Sequence, residues 1–515
     1  MTITATTVNE PAVTELAVTE LAVRDSEKYC YAERSLAYLA SALAASACCV
    51  IAAQIWFESR SLIALPFIAY TALYVVYQAI SLPVNFTGKP FDMAAHRRLV
   101  EEWHPASYPS VDIFLPICGE EISILANTWT GVRDLIDAYP GIARAYVLDD
   151  GPSDEAEQLA ERFGITYLRR PNQREFKKSG NLKFGFDRTD GDHIVIFDAD
   201  FRPHLDFLAE TLPYMDDPET GVVQTPQFFR VSASQTWVER GASASLEVFY
   251  RGVQVCRDRF GSALCVGSNA VYRRSALAKE GGFTLVPFAE DSHTGLDTRF
   301  HGYRLRYLPV VVAIGVCPAT IDSYMRQQYR WSCGAMSLIW TKNMWRVPMP
   351  LRARLPYLAG WLWNVTTAAR IVVLPLIPVM LLTWHPEQVE PRNFVLLIPA
   401  VLTGALLYPL WHNSRYPYSM WPLSIALGWA QALAIWDYAR GKVMSWEPAR
   451  GPGDATRRFR KAVLLWNGTL GLAWLGLAVW RGLEYGSARF AVLAAFGVVN
   501  ALIVARVIYP GASAR

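Results

Sequence analysis

His193-Ile194-Val195-Ile196-Phe197 runs without a break into Asp198-Ala199-Asp200. A short stretch rich in β-branched and aromatic side chains reads as a buried strand. Two carboxylates, one residue apart, stand at its carboxyl end. Working outward, Ala145-Tyr146-Val147-Leu148 runs the same way into Asp149-Asp150-Gly151, and Asp112-Ile113-Phe114-Leu115-Pro116 is a third apolar, extended run. Acidic residues at the carboxyl ends of buried strands lie where open α/β sheets bind ligands. The expected fold is therefore a Rossmann-like α/β domain whose sheet gathers both acidic pairs into one crevice.

The setting of that domain follows from composition. Of 515 residues, 52% are hydrophobic and only 18% charged, against a usual charged share of about 25%. The deficit points to membrane, and a net charge of +3 is too small to suggest a nucleic-acid partner. The eight cysteines show no ligand spacing and read as reduced thiols. Residues 36–57 and 61–82 carry no charge, and each is about long enough to cross a 30 Å hydrocarbon core. Further candidate spans lie at 359–384, 393–411, 418–436, 462–480 and 490–509. The link at 437–461 is rich in Arg and Lys, which places it in the cytosol. An even number of crossings must then separate it from the soluble domain, so 418–436 is expected to lie at the interface, giving six crossings, with seven as the alternative. Arg370, inside the third span, is either a snorkelling side chain or part of a polar cavity.

The chemistry follows from the acidic pairs. Two carboxylates one residue apart suit a hard divalent cation whose remaining positions are filled by a diphosphate, and the metal offsets charge on the leaving group. Asp149 and Asp150 are expected to contact the nucleotide, with Gly151 permitting close backbone approach. Glu290-Asp291, after a turn-rich stretch, offers a carboxylate to take the proton of an attacking sugar hydroxyl. It also suits a helix N-terminus, where the dipole favours acids. Residues 322–345 read as an amphipathic helix with Met325, Tyr329, Met336 and Trp340 broadly on one side. Gln327, Arg330 and Trp331 then face the crevice, the guanidinium towards diphosphate and the indole as a stacking face.

Taken in order, Asp149-Asp150-Gly151, Asp198-Ala199-Asp200, Glu290-Asp291 and Gln327-Gln328-Tyr329-Arg330-Trp331 resemble the D-D-G, D-x-D, T-E-D and Q-x-x-R-W motifs of the processive family 2 glycosyltransferases, cellulose-synthase-like branch. Lys178–Lys183 resembles that family's K-A-G-N-L-N, Val223–Pro226 its V-Q-T-P, and Gly267–Asn269 with Arg273-Arg274 the segment before the third motif. The resemblance implies a GT-A domain with a mixed sheet, inserted in an α-helical transmembrane bundle. It implies Asp149, Asp150 and Lys183 on a UDP-sugar, Asp198 and Asp200 with Mg²⁺ or Mn²⁺, and Asp291 as base beside Glu290. Gln327, Arg330 and Trp331 would hold the acceptor end and diphosphate. Ala289 stands in place of the threonine of T-E-D, and Pro116–Glu120 differs from the family's P-T-Y-N-E. Lys442–Arg450 stands loosely in the place of its gating loop. The sequence ends at Arg515, a few residues past the last apolar run, so no cyclic-di-GMP-binding PilZ domain is expected.

The expected layout is a disordered cytosolic tail (1–34), a transmembrane hairpin (35–82) and a cytosolic catalytic domain (83–320). An interfacial helix (321–350) and two spans (351–411) follow. An interfacial helix with a gating-type loop (412–461) and two more spans (462–515) complete it. The expected activity is polymerisation of a UDP-sugar, UDP-glucose foremost, onto a growing β-glycan translocated across the plasma (inner) membrane. Membrane lipid and possible export subunits are the other expected partners. The alternatives are a non-processive transfer of one sugar to a lipid, a synthase using UDP-N-acetylglucosamine, and a transporter or receptor with a soluble insert.

Overall fold

The structure, a computed structural model, describes residues 22–32, 37–59, 65–87, 90–151, 153–443, 454–486 and 488–508. Most of the expected tail and nearly all of the gating-type stretch 442–450 lie outside these residues. Two apolar helices, α1 (Ala37–Glu58) and α2 (Leu65–Asn85), precede the soluble domain.

The soluble domain is built on a seven-stranded mixed sheet in the order β3-β2-β1-β4-β7-β6-β8. Its strands are β1 (Val111–Ile117), β2 (Ala143–Asp149), β3 (Thr166–Arg169), β4 (His193–Ile196), β6 (Thr220–Gln224), β7 (Ala270–Arg273) and β8 (Arg304–Tyr307). β5 (Phe201–Pro203) and β9 (Ala313–Gly315) form a second, two-stranded sheet. β1 to β4 are parallel, whereas β7 runs antiparallel between β4 and β6. All seven residues of β1 and all four of β4 are buried, the continuous burial expected of strands covered on both faces.

The chain moves outward from β1 to β2 and β3, then returns to the other side of β1 as β4. Ligand crevices form at such a reversal of strand order. Pairing of β1 with β4 stops at Phe114↔Ile196, while pairing with β2 continues to Ile117↔Asp149. Pro116 lies just past that point on the β4-facing side and has no N–H to extend the ladder. The two strands part there, and the crevice opens between their ends.

Two helices of this domain carry site residues: α3 (Lys177–Phe186) and α4 (Glu290–Phe300). α5 (Ile321–Trp340), α6 (Leu351–Val373) and α7 (Met420–Ala439) follow. α5 lies along α7, and α6 packs on both α2 and α7. The helix expected over 322–345 is broken at Thr341, after which Lys342–Arg346 forms a separate short helix.

Among the described residues, six helical segments are long and apolar enough to cross a membrane: Tyr38–Glu58, Phe67–Asn85, Leu351–Trp384, Pro391–Trp411, Arg457–Glu484 and Ala488–Ile508. α7 is not among them. It buries Leu423, Ala426, Ala430, Gln431 and Ala434 against its neighbours and leaves Trp421 and Trp436 exposed.

Residues 22–32, expected to belong to a disordered tail, are instead docked on the soluble domain. Tyr31 is buried edge-on against Phe228, and the Lys28 amine reaches Asp206 at 2.6 Å. An apolar anchor and a cation with acidic partners hold a segment that composition alone leaves loose. All eight cysteines are free.

Candidate active site

The strand ends deliver the carboxylates. Asp149 closes β2, Glu120 follows β1, and Asp198 and Asp200 follow β4. Asp149 is fully buried, and both of its oxygens are engaged. Oδ1 accepts the Gly151 N–H at 2.8 Å, while Oδ2 accepts the Ser153 N–H at 3.2 Å and the Tyr167 hydroxyl. Asp150 accepts the Arg170 Nε–H at 2.6 Å and the Arg174 N–H at 2.7 Å. Asp149 thus braces the turn that carries it, while Asp150 ties that turn to the Arg170–Arg174 segment.

On the other side of β1, the Lys178 amine of α3 donates to Asp198 Oδ1 and lies 3.6 Å from Glu290 Oε1. Burial opposes the charge on Lys178, but Asp198, Glu290 and Asp291 outweigh it, so its pKa is raised. The Asp198 N–H donates to Ser268 Oγ at 3.0 Å. Gln224, fully buried, fixes the Ser268 loop by accepting the Val266 N–H at 2.9 Å and donating to the Ser268 carbonyl at 2.8 Å. Burial, with Asp198 and Glu120 adding, pushes the Asp200 carboxyl up to about 7.

Asp291 sits in the first turn of α4, and its Oδ1 accepts the Ser292 N–H at 2.6 Å. Burial and then Glu290 push it up to about 7. Gly267, at φ +83°, faces it so closely that a Cβ there would lie 3.0 Å from Asp291 Cβ. Ala289, which caps α4, adopts φ 54°, a left-handed conformation that residues with side chains rarely take.

α4 is fastened to α5. A Cβ on Gly334 would come within 2.5 Å of Ala289 Cβ, and His293 Nε2 hydrogen-bonds Ser337 Oγ at 2.9 Å. Asp297 accepts from Thr284 Oγ1 at 2.6 Å and Asn343 Nδ2 at 2.7 Å. On α5, Gln328 and Tyr329 are buried and Gln327 half-buried, while Arg330 is exposed and Trp331 is 42% exposed. Arg330 lies within electrostatic reach of Glu290, Asp198 and Asp200. Met325, Tyr329 and Met336 are buried, but Trp340, expected beside them, is 67% exposed.

Asp198, Asp200, Glu290, Asp291 and Arg330 thus come together. Lys183 does not join them. Its amine reaches forward four residues to Asp187, at 2.5 and 2.6 Å, at the C-terminal end of α3. Lys178, at the start of the same stretch, takes the crevice position instead. Sequence reasoning missed Lys178, Glu120 and Ser268. The lysine-rich opening of α3 was the one available signal, since a cation is needed where so many carboxylates meet. Arg273 and Arg274 are structural: the former donates to the Thr220 carbonyl at 2.8 Å, the latter to buried Asp112 at 2.8 Å.

Among the described residues no group of three or more His, Cys, Asp or Glu side chains forms a cage for a metal ion. Asp198 and Asp200 supply two hard donors in a crevice with more carboxylates than cations. This set fits a divalent cation whose coordination is completed by a ligand's own oxygens.

A family model described as glycosyl transferase family group 2 matches residues 193–432. Cellulose synthase 1 of Komagataeibacter xylinus is 30% identical over 331 residues, 62% of this chain and 21% of that protein. The UDP-forming cellulose synthase catalytic subunit of Pseudomonas fluorescens (strain SBW25) is 32% identical over 243 residues, 46% of this chain and 33% of its own. The matches thus span a third or less of these relatives' length. Among solved structures, the mannosyltransferase PcManGT from Pyrobaculum calidifontis, in complex with GDP-Man and Mn²⁺, aligns with 72% of this chain and 98% of its own at 18% identity and a TM-score of 0.48.

Proposed function

We propose that the chain is a membrane-spanning member of the family 2 glycosyltransferases, cellulose-synthase-like in kind, and that it polymerises a UDP-sugar, UDP-glucose foremost, into a β-linked glycan. The observation that carries this reading is the meeting of Asp198, Asp200 and Asp291 around Lys178 at the parting of β1 and β4.

In this reading Asp198 and Asp200 would hold Mg²⁺ or Mn²⁺, which would supply positive charge against the departing diphosphate. Lys178 and Arg330 add fixed cations to the same side of the crevice. The turn of Asp149 to Gly151 frames the nucleotide, its two carboxylates keeping the backbone in place. Asp291 accepts the proton of the acceptor hydroxyl as that oxygen attacks the anomeric carbon, and the bond to the diphosphate breaks with inversion. A carboxyl held near 7 suits a base working at neutral pH. Gln327 and Trp331, on the membrane side, seat the end of the growing chain.

Passage of the product through the bundle, from a cytosolic catalytic side across the plasma (inner) membrane, is supported by polar groups inside the apolar helices. Thr71 bonds both Gln54 and Glu58 across α1 and α2. Tyr70 stacks on Tyr74, and Arg370 of α6 lies within electrostatic reach of both. Buried membrane polar groups rarely face lipid. The test is UDP release by the purified protein across a panel of UDP-sugars. Release that requires Mg²⁺ or Mn²⁺ and vanishes in Asp200→Ala and Asp291→Asn supports the reading. Absence of release with every sugar sinks it.

A further inference from the structure

Asp437, near the end of α7, is 3% exposed and accepts three hydrogen bonds from two distant parts of the chain. The Arg458 guanidinium gives one to each oxygen, both at 2.9 Å, and the Tyr329 hydroxyl gives the third at 3.0 Å. Tyr329 lies on α5, directly before Arg330 and Trp331. Arg458 stands at the start of the apolar segment Arg457–Glu484. A second pair joins the same two elements, with the Arg460 guanidinium 3.1 Å from Asp322. The helix that flanks the carboxylate crevice is thus tied to two helices of the bundle through one buried carboxylate. A forked, charge-assisted pair is geometrically demanding, and shifting either partner leaves a buried charge exposed to loss of its hydrogen bonds. The node therefore has one favourable register.

We propose that Asp437 is a positioning residue, which holds α5 in register with the bundle so that the acceptor end stays over the base while the donor reacts. The proposal rests on the polymerase reading above. In productive transfer the acceptor hydroxyl oxygen bonds the anomeric carbon. The anomeric carbon–phosphate oxygen bond breaks, its electron pair leaves on UDP, and Asp291 receives the proton. When α5 shifts, the acceptor end is misplaced and water takes its position. The same bond breaks, the same proton passes to Asp291, and free sugar leaves with UDP. Most of the donor site, the strand ends and Lys178, lies where the node does not touch it, and Arg330 alone of its proposed contacts shares α5.

The test compares wild type, Asp437→Asn and Tyr329→Phe, each full-length in lipid nanodiscs with UDP-glucose. It measures UDP released per sugar incorporated into polymer, together with the donor KM. Wild type is expected near one UDP per sugar. Both variants are expected to show a raised ratio and a polymerisation kcat lowered roughly tenfold or more, the scale of a misplaced reactant, with donor KM nearly unchanged. Loss of folded protein is read separately, as lowered recovery on size exclusion, and the ratio is taken on the monodisperse folded fraction of each variant. An unchanged ratio in both variants overturns the proposal. Wild type that releases no UDP with any UDP-sugar overturns the polymerase reading, and the inference with it.

Discussion

The Lys178 amine donates to Asp198 while lying 3.6 Å from Glu290, so a single cation bridges the metal-type pair and the carboxylates of α4. Without it, Asp198, Asp200, Glu290 and Asp291 face one another across the crevice with Arg330 at its side. Lys178→Met is expected to lower kcat/KM by about 100-fold, the scale of losing one preorganised donor to a developing anion. Steady-state kinetics on protein with unaltered circular dichroism checks this. A loss of under about threefold would remove Lys178 from the site.

Ala289 and Gly334 leave no room between α4 and α5. Gly334→Ala puts two methyl groups within 2.5 Å, and overpacking of this kind costs about 1–3 kcal/mol. Thermal unfolding in detergent should show a lowered midpoint. The pair Ala289→Gly with Gly334→Ala should recover part of the loss, because glycine removes the clash and relieves the left-handed φ at 289. Additive losses in the double variant would show that the two residues do not interact.

Asp291 is pushed up to about 7 by burial and Glu290, and a base acts only when deprotonated. The rate of transfer should therefore fall as pH drops through about 7 and level off above it. At saturating divalent cation the proposed metal ligand Asp200 would be held ionised, so the remaining limb belongs to Asp291. A flat profile between pH 6 and 8, expressed as kcat/KM, would contradict the assignment of the base.

His193, at the start of β4, is buried beside Arg273, and its pKa falls to about 4. The unfolded chain takes up a proton near pH 6.5 that the folded chain refuses until about 4. This contribution to stability is complete above 6.5 and is lost as pH falls from there to about 4. His193→Gln should flatten the acid side of the stability curve. If wild type and variant lose stability in parallel over that window, the histidine is not the group responsible.

Much of the sheet was legible in the sequence because buried parallel strands are apolar throughout and end abruptly in acids. β1, β2 and β4 each show this pattern. The placement of Asp291 against Asp198 was legible only through the order of the motifs, since pairing of β4 with β7 brings the Gly267–Asn269 loop between them. The adjacency of Asp149 and Asp150 says nothing about which way either side chain turns. Arg170, Arg174 and Tyr167, all distant in pattern terms, decide that. Lys183 and Lys178 are chemically alike, and only the direction of α3 distinguishes them. Asp437 was hidden for the same reason: its partners lie 108 and 21 residues away.

The most direct test of the central claim is the size and linkage of the product. Purified protein with UDP-glucose and Mg²⁺ or Mn²⁺ should yield high-mass material that a β-glucan-specific glycosidase degrades, at one UDP per sugar incorporated. Turnover that ends at a single sugar on a lipid, with no longer product at any donor concentration, would contradict it.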